Sequence, residues 1–281
     1  MEYIKLNDGV DIPAIGFGTF LIPPDGSTYR AVREALEVGY RHIDTATAYE
    51  NEEEVGRAVR DSGIPREEVF ITSKLWLSQY GEPLRGVERS LRKLGMDYID
   101  LYLIHQPYFD VLNAWKGLEE AKAAGKLRSI GVSNLSPKLW NTFIPQFETL
   151  PSVNQIECNP FAQQKAIRAM MTDNDVKVVC WGPLGQGNQD LLTNETIVHI
   201  SEKYGKNAGQ VILRFETQDG MIVLPKSVHP ERIKSNLDIF DFTLTEDEMN
   251  VIRALDTDKP TRDPDAPGRG DYLNKKFQIA D

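Results

Sequence analysis

Four side chains in the first 105 residues, Asp44, Tyr49, Lys74 and His105, form a set suited to moving a single proton. An ammonium group beside a phenol favours phenolate and lowers the phenol pKa. An aspartate beside that ammonium keeps it charged when both are buried. The expected product is a tyrosine able to give up or accept a proton near neutral pH, which an unperturbed phenol of pKa about 10 does poorly. A histidine in the same group adds a hydrogen-bond donor that orients a carbonyl oxygen. Such a set suits proton donation to an oxygen becoming an alkoxide. Taken singly, each residue has an ordinary explanation: Asp44 as a helix or turn cap, Lys74 as a solvated strand end, Tyr49 as a packing aromatic and His105 as a satisfied strand-end histidine. Only convergence makes them a site.

Convergence requires elements that bring positions 44, 49, 74 and 105 to one place. Short runs rich in Val, Ile, Leu, Phe and Tyr lie at 15–20, 41–45, 69–74, 99–105, 129–133, 153–157, 177–181 and 222–226. Amphipathic stretches with helical spacing lie between the first of them, at 28–38, 52–62, 84–94 and 114–124, each followed by a glycine (Gly39, Gly63, Gly95, Gly125). Strand–helix alternation without a composition break implies a parallel sheet, and eight strands in about 250 residues close it into a (β/α)8 TIM barrel. An open dinucleotide-binding sheet is the weaker reading, because Gly16-Phe17-Gly18-Thr19 lacks a third glycine and no helix pattern follows promptly. The turn signal Asn7-Asp8-Gly9 predicts a β-hairpin before the barrel. The acidic run 50–54 reads as a solvated helix start. The tail 256–281 carries three prolines and two glycines among charges and is no regular helix before Gly270. It is either a disordered end or a long loop over the barrel mouth, with Tyr272, Leu273 and Phe277 available to dock. The whole chain, 1–281, reads as a single domain.

In such a barrel the C-terminal ends of the strands carry the site. Those ends here hold Asp44, Lys74, His105, Ser133, Asn134, Gln155, Trp181, Lys226 and Ser227. The formal net charge of −10 argues against nucleic acid and anionic membrane as partners, unless a local basic patch exists. Two cysteines make no disulfide scaffold, and four histidines leave little for a metal site, so none is expected. No run approaches 18 uncharged apolar residues and no signal sequence is evident, so the expectation is a cytoplasmic protein; nothing demands a dimer, and a monomer is expected.

Ordered motifs carry a resemblance to a known family. Residues 39–56, GYRHIDTATAYENEEEVG, resemble the first signature of the aldo-keto reductases; residues 96–105, MDYIDLYLIH, resemble the fourth-strand segment. Leu224-Pro225-Lys226-Ser227, followed by Arg232 and Asn236, resembles the cofactor-phosphate signature, and IGVSN at 130–134 and NQIEC at 154–158 are also family-like. The similarity runs from the hairpin to about residue 255.

The resemblance implies a barrel that uses NADPH to reduce an aldehyde or ketone. By position, Tyr49 is the general acid, Lys74 its pKa modulator, Asp44 the partner of Lys74 and His105 the carbonyl-orienting group. Ser133, Asn134 and Gln155 would hold the carboxamide of the cofactor and Trp181 would stack on its nicotinamide. Gly182, Leu184 and Gly185, in the loop 182–187, would lie beside the pyrophosphate. Lys226, Ser227 and Arg232 would grip the 2′-phosphate and Asn236 the adenine. The phosphate assignment has an independent basis: residues 226–234 hold three basic residues and one acid in an acidic protein, which suits a dianion and favours NADPH over NADH. Phe20, Leu21, Trp76, Tyr108, Phe109 and the tail are the expected substrate walls, mostly aromatic or apolar, for a small dicarbonyl, aldehyde or keto sugar. Gln106, Asn159, Trp181 and Ser235 depart from the residues commonest in the family, and none touches the four proton-handling positions. Two other classes compete: a cofactor-binding sensor on the same barrel, which need not keep all four residues, and a metal-dependent hydrolase or isomerase, for which only His105 and Asp44 qualify as ligands.

Overall fold

A computed structural model describes residues 1–279. A two-stranded antiparallel hairpin, β1 (Tyr3–Lys5) and β2 (Asp11–Pro13), leads into eight strands: β3 (Phe17–Gly18), β4 (His42–Asp44), β5 (Phe70–Leu75), β6 (Ile99–Ile104), β7 (Leu127–Ser133), β8 (Val153–Glu157), β9 (Lys177–Trp181) and β10 (Ile222–Leu224). These eight pair in parallel in sequence order, β3 to β10. The ring closes where Ile15 bridges Val223, with the Gly16 N–H donating to Val223 O at 2.8 Å and the Val223 N–H to Ala14 O at 3.0 Å. β3 is shorter than its expected run because its ends bond singly to Val223, Pro225 and Asp44 instead of in a continuous ladder.

Helices follow the strands: α1 (Ser27–Val38), α2 (Glu52–Asp61), α3 (Pro83–Leu94), α4 (Val111–Ala123), α5 (Pro137–Phe143) and α6 (Lys165–Asp173). After β9 come α7 (Gln189–Leu192), α8 (Glu195–Tyr204) and α9 (Ala208–Gln218), and after β10 come α10 (Pro230–Leu237), α11 (Glu246–Arg253) and α12 (Arg269–Lys276). α1 and α3 stop where Gly39 and Gly95 turn left-handed, at φ 114° and 64°, and donate back into the last turn. α4 starts three residues before its expected onset because the Asp110 carboxylate accepts the Asn113 N–H at 3.2 Å. The hairpin closes the N-terminal end of the barrel: Leu6 and Ile12 pack with Phe70, Leu101, Leu103, Val153, Val179 and Ile222.

The acidic run before α2 is not simply solvated. Glu52 is buried and accepts the Ser73 hydroxyl at 2.6 Å, while the Glu54 carboxylate takes the N–H groups of Gly26 and Tyr29 at the start of α1. Helix-start carboxylates here fasten two neighbouring helical units together.

The tail folds over the C-terminal mouth. Both carboxylate oxygens of Glu157, the last residue of β8, accept the Thr261 N–H, at 3.1 and 3.0 Å, and one also accepts its hydroxyl at 2.7 Å. The Tyr108 hydroxyl donates to Pro264 O at 2.8 Å and the Ser136 hydroxyl to Asp265 at 3.0 Å. Phe277 then reaches Trp76, with ring centroids 5.7 Å apart, and Phe20 at 6.4 Å. Residues 280 and 281, the last two of the expected tail, lie outside the described residues. Among the described residues no helix is long and apolar enough to cross a membrane, and no cluster of three His, Cys, Asp or Glu side chains could hold a metal.

His42, in β4, has a structural place in the barrel. It is fully buried, shares a 2.9 Å hydrogen bond with the Thr72 hydroxyl, and its pKa is pushed down to about 3, mainly by burial and next by the Lys74 charge. The unfolded chain takes up a proton at this residue below about pH 6.5, whereas the folded chain does not until about pH 3. The contribution is therefore complete above pH 6.5 and is lost on acidification, at about 1.4 kcal/mol per pH unit for one proton. Denaturant melts between pH 7 and pH 5 should show stability falling with acid, and His42→Gln should flatten that slope by the share of one proton; an unchanged slope would contradict the assignment.

Candidate active site

β4 ends at Asp44, and β5 runs three residues beyond the Asp44–Thr72 pairing, so Lys74, two residues past it on the same strand face, sits one step above Asp44 inside the barrel. Both are buried, Lys74 completely. The Lys74 ammonium donates to Asp44 Oδ1 at 2.5 Å, to Thr45 O at 2.8 Å and to the Tyr49 hydroxyl at 3.4 Å. Tyr49 comes from a single 3-10 turn, Thr47–Tyr49, that ends as Glu50 adopts a left-handed φ of 56°. The other Asp44 oxygen accepts Gln155 Nε2 at 2.8 Å, so three strands hold this carboxylate and its cation. Gln155, expected only as a carboxamide contact, is thus a support of the ion pair as well.

The electrostatics differ from the expectation at Tyr49. Its pKa is raised: burial opposes phenolate more strongly than the Lys74 ammonium favours it, and the Asp44 charge adds to the rise. The phenol is therefore held protonated, ready to donate and not poised between two states. Lys74 also titrates above its ordinary value; burial works against its charge, but Asp44 and Tyr49 outweigh it. His105 is driven well below its ordinary value by burial, then by the charges of Lys74 and Arg262, so its imidazole is neutral. The ring packs edge-on against Tyr49 at 5.5 Å and Trp76 at 5.0 Å, and its Nδ1 is buried without a hydrogen-bond partner among the described residues.

A second group of polar residues surrounds the next strand ends. The Ser133 hydroxyl donates to Gln155 O at 2.8 Å; Asn134, at φ 62°, donates its amide to Ser133 Oγ at 3.0 Å and to His105 O at 3.2 Å. The Trp181 indole N–H donates to Asn134 Oδ1 at 2.9 Å, fixing the ring at the cavity wall.

One cavity of about 710 Å³ joins these groups to the β10–α10 loop. Tyr49, His105, Trp181, Lys226, Arg232 and Asn236 all line it, as do Phe20, Leu21, Trp76 and Tyr108. Lys74 lies behind this lining, reaching the cavity only through Tyr49 and Asp44. Gly185 is also behind it; Gly182 and Gly187 are at the surface, with φ 68° and 85°. Phe109 does not join the wall: a left-handed φ of 62° at this residue turns the chain into the α4 cap and leaves the ring half-exposed. Trp76 is both core and wall, buried yet facing the cavity. Cys158 and Cys180 are buried away from it, and burial pushes the Cys180 thiol up, in keeping with inert thiols. The tail adds residues that the sequence reading passed over, Arg262, Pro264 and Arg269, beside the foreseen Leu273 and Phe277. Basic residues in a tail with apolar docking side chains were the available signal.

A reduced nicotinamide dinucleotide fits this cavity by the chemistry of its lining. Lys226 and Arg232 are exposed cations without an ion-pair partner among the described residues, the glycine loop leaves its backbone open, and an aromatic wall lies between that end and the tyrosine.

Residues 14–257 match a sequence model described as the Aldo/keto reductase family. The chain is 42% identical to glyoxal reductase of Bacillus subtilis, over 92% of this chain and 94% of that protein. It is 40% identical to methylglyoxal reductase DkgA of Escherichia coli, over 94% and 98%. Among solved structures, MGS-M4, an aldo-keto reductase enzyme from a Medee basin deep-sea metagenome library, superposes with a TM-score of 0.90 at 41% identity, over 92% of this chain and 97% of that one. With the family matched across most of its length, an eight-stranded barrel and a lysine–aspartate–tyrosine–histidine cluster at the strand ends, the chain belongs to the aldo/keto reductase family and is an oxidoreductase that works with a nicotinamide cofactor.

Proposed function

We propose that this protein is an NADPH-dependent reductase of small aldehydes and ketones, with dicarbonyls such as glyoxal and methylglyoxal as the first candidates. The carrying observation is the buried Lys74 ammonium, within hydrogen-bond range of both Asp44 and the Tyr49 hydroxyl, beneath a cavity that continues to Lys226 and Arg232. When bound, NADPH supplies a hydride to the carbonyl carbon. The protein supplies the rest. Neutral His105 and the Tyr49 hydroxyl orient the carbonyl oxygen. As negative charge grows on that oxygen, Tyr49 donates its proton to it, and Lys74 stabilises the phenolate left behind. The raised phenol pKa keeps the proton on Tyr49 until the alkoxide, a far stronger base, forms. The bond made is O–H, the bond broken is the phenol O–H, and solvent returns the proton after product leaves.

Ser133, Asn134 and Gln155 would meet the carboxamide of the cofactor, Trp181 its ring, the loop with Gly182, Leu184 and Gly185 its pyrophosphate, and Ser227 and Asn236 its adenosine end. Lys226 and Arg232 supply charge for a 2′-phosphate, which NADH lacks. Names of the relatives support a dicarbonyl substrate, and Phe20, Leu21, Trp76 and Tyr108 leave room for a small one. The chain would act as a single cytoplasmic domain.

Removing the phenol proton should abolish turnover and spare the cofactor. Tyr49→Phe is expected to lose at least about 100-fold in kcat with glyoxal or methylglyoxal, the scale of general-acid catalysis, while NADPH binding followed by tryptophan quenching changes only a few-fold. A variant that turns over normally would refute the assignment. Arg232→Ala should weaken NADPH by about 1.5–3 kcal/mol, as for a hydrogen bond to a charged group, and NADH hardly at all. Equal losses for both cofactors in the same titration would rule out the 2′-phosphate contact.

A further inference from the structure

Three sulfur atoms meet on the outer face of the barrel, away from the cavity at the strand ends. Strands β8, β9 and β10 are neighbours, and each brings one of them: Cys158 directly follows β8, Cys180 lies in β9, and Met221 directly precedes β10. Side chains alternate between the two faces of a strand. Val179 and Ile222 face inward onto the hairpin plug, so Cys180 and Met221 face outward, among the same buried residues as Cys158. The Met221 Sδ lies 3.4 Å from Cys180 Sγ and 3.6 Å from Cys158 Sγ, and the two thiols also act on each other. All three residues are buried, and both cysteines are free.

Two further observations set this cluster apart from ordinary sulfur packing. Glu216, in α9, is fully buried, and neither of its carboxyl oxygens has a hydrogen-bond partner among the described residues. After burial itself, Cys158 is the group that acts most on its charge. An unpartnered buried carboxyl costs stability and calls for an explanation, and the chemistry of the strand-end cavity does not use it. The cluster also has a way in. A second cavity, of about 550 Å³, lies beside α6 and the starts of β9 and β10, and Arg168, Met171 and Met221 line it. Met221 thus joins that cavity to the two thiols.

We propose that Cys158, Cys180 and Met221 form a binding site for a soft monovalent metal ion, copper(I), held by two thiolates and one thioether and entered from the cavity beside α6. Thiolate and thioether donors select copper(I). Structural zinc takes four ligands, and among the described residues no third His, Cys, Asp or Glu side chain is placed to complete such a set. A trigonal ion with metal–sulfur bonds of about 2.3 Å holds its sulfurs about 4 Å apart, so the contacts need to open by only about half an ångström. Buried thiols are poor nucleophiles, yet a soft metal ion competes directly with the proton for the sulfur lone pair. On binding, each Sγ–H bond breaks, its proton passes to solvent, two S–Cu bonds form and the thioether lends a lone pair; the copper stays copper(I). The unit then carries one negative charge. Arg168, whose charge Cys158, Asp219 and Cys180 uphold against burial, is the nearby cation that offsets it, and a Glu216 carboxyl in its acid form gains a thiolate to donate to. The site is independent of the proposed reduction.

The test uses the full-length protein without oxygen, with copper(I) supplied as its bathocuproine disulfonate complex. Binding is read as loss of the colour of that complex and as copper per chain after gel filtration. The wild type should take a single copper(I) per chain, and X-ray absorption of the loaded protein should show sulfur neighbours only. Cys158→Ser and Cys180→Ser should each lose at least about 100-fold in affinity, more than removal of an outer supporting partner costs. Met221→Leu, which conserves packing volume, should lose about 10-fold. Circular dichroism melts show whether each variant folds, and for one that does not, the X-ray absorption of the wild type decides. A wild type that leaves the copper with the chelator, nitrogen or oxygen neighbours in the loaded protein, or unchanged affinity in the folded variants overturns the proposal.

Discussion

The buried Lys74 ammonium is the constraint around which the rest of the site is arranged. A cation in a protein interior costs several kcal/mol in lost hydration and survives only with close, well-directed partners. Here three oxygens meet it: the Asp44 carboxylate, the Thr45 carbonyl and the Tyr49 hydroxyl. Asp44 in turn needs its second oxygen satisfied, and Gln155 does that from the far side of the barrel. Strands β4, β5 and β8 are thereby tied through polar atoms at the end where the apolar plug of the hairpin does not reach. Removing either member of the pair would leave an uncompensated buried charge, typically costing about 3–5 kcal/mol. In the proposed reduction the same cation would stabilise the tyrosine phenolate left after proton transfer, so stability and chemistry would draw on one interaction.

Around this floor the walls come from segments distant in the chain. Phe20 follows β3, Trp76 follows β5, and Phe277 arrives from the tail to pack on both. The tail has little intrinsic regularity before α12, and its place depends on side-chain anchors: Glu157 for Thr261, Ser136 for Asp265, Tyr108 against Pro264. A mouth built in this way can be resurfaced by altering the tail while Asp44, Tyr49, Lys74 and His105 stay fixed at the strand ends or in the turn just after them, the usual division of labour in barrels of this type.

Charge is distributed to match. The chain carries a formal charge of −10, yet the cavity is lined by Lys226, Arg232, Arg262 and Arg269, and Asp44, already paired, is the one acid among the described residues that line it. A cationic cleft in an acidic protein focuses anions toward itself against the repulsion of the whole.

Much of this was legible in the amino-acid sequence. The eight apolar runs, the glycines that end helices and the hairpin turn are local signals, because backbone conformation responds to neighbours a few residues away. The positions 44, 49, 74 and 105 could be singled out by side-chain chemistry and by motif resemblance together. What the sequence could not supply were quantities set by burial and by contacts between distant segments. The direction of the Tyr49 shift depends on whether desolvation or the Lys74 charge is larger, and that balance exists only once the ring is enclosed. Phe109 looked like its neighbour Tyr108 until one backbone dihedral turned it outward. The burial of Glu52, the second role of Gln155 and the seating of Arg262 over Trp181 each require partners 20 to more than 100 residues away. Local propensity determined the elements; the tertiary structure decided which charges are solvated, which are paired, and which remain free to meet a substrate.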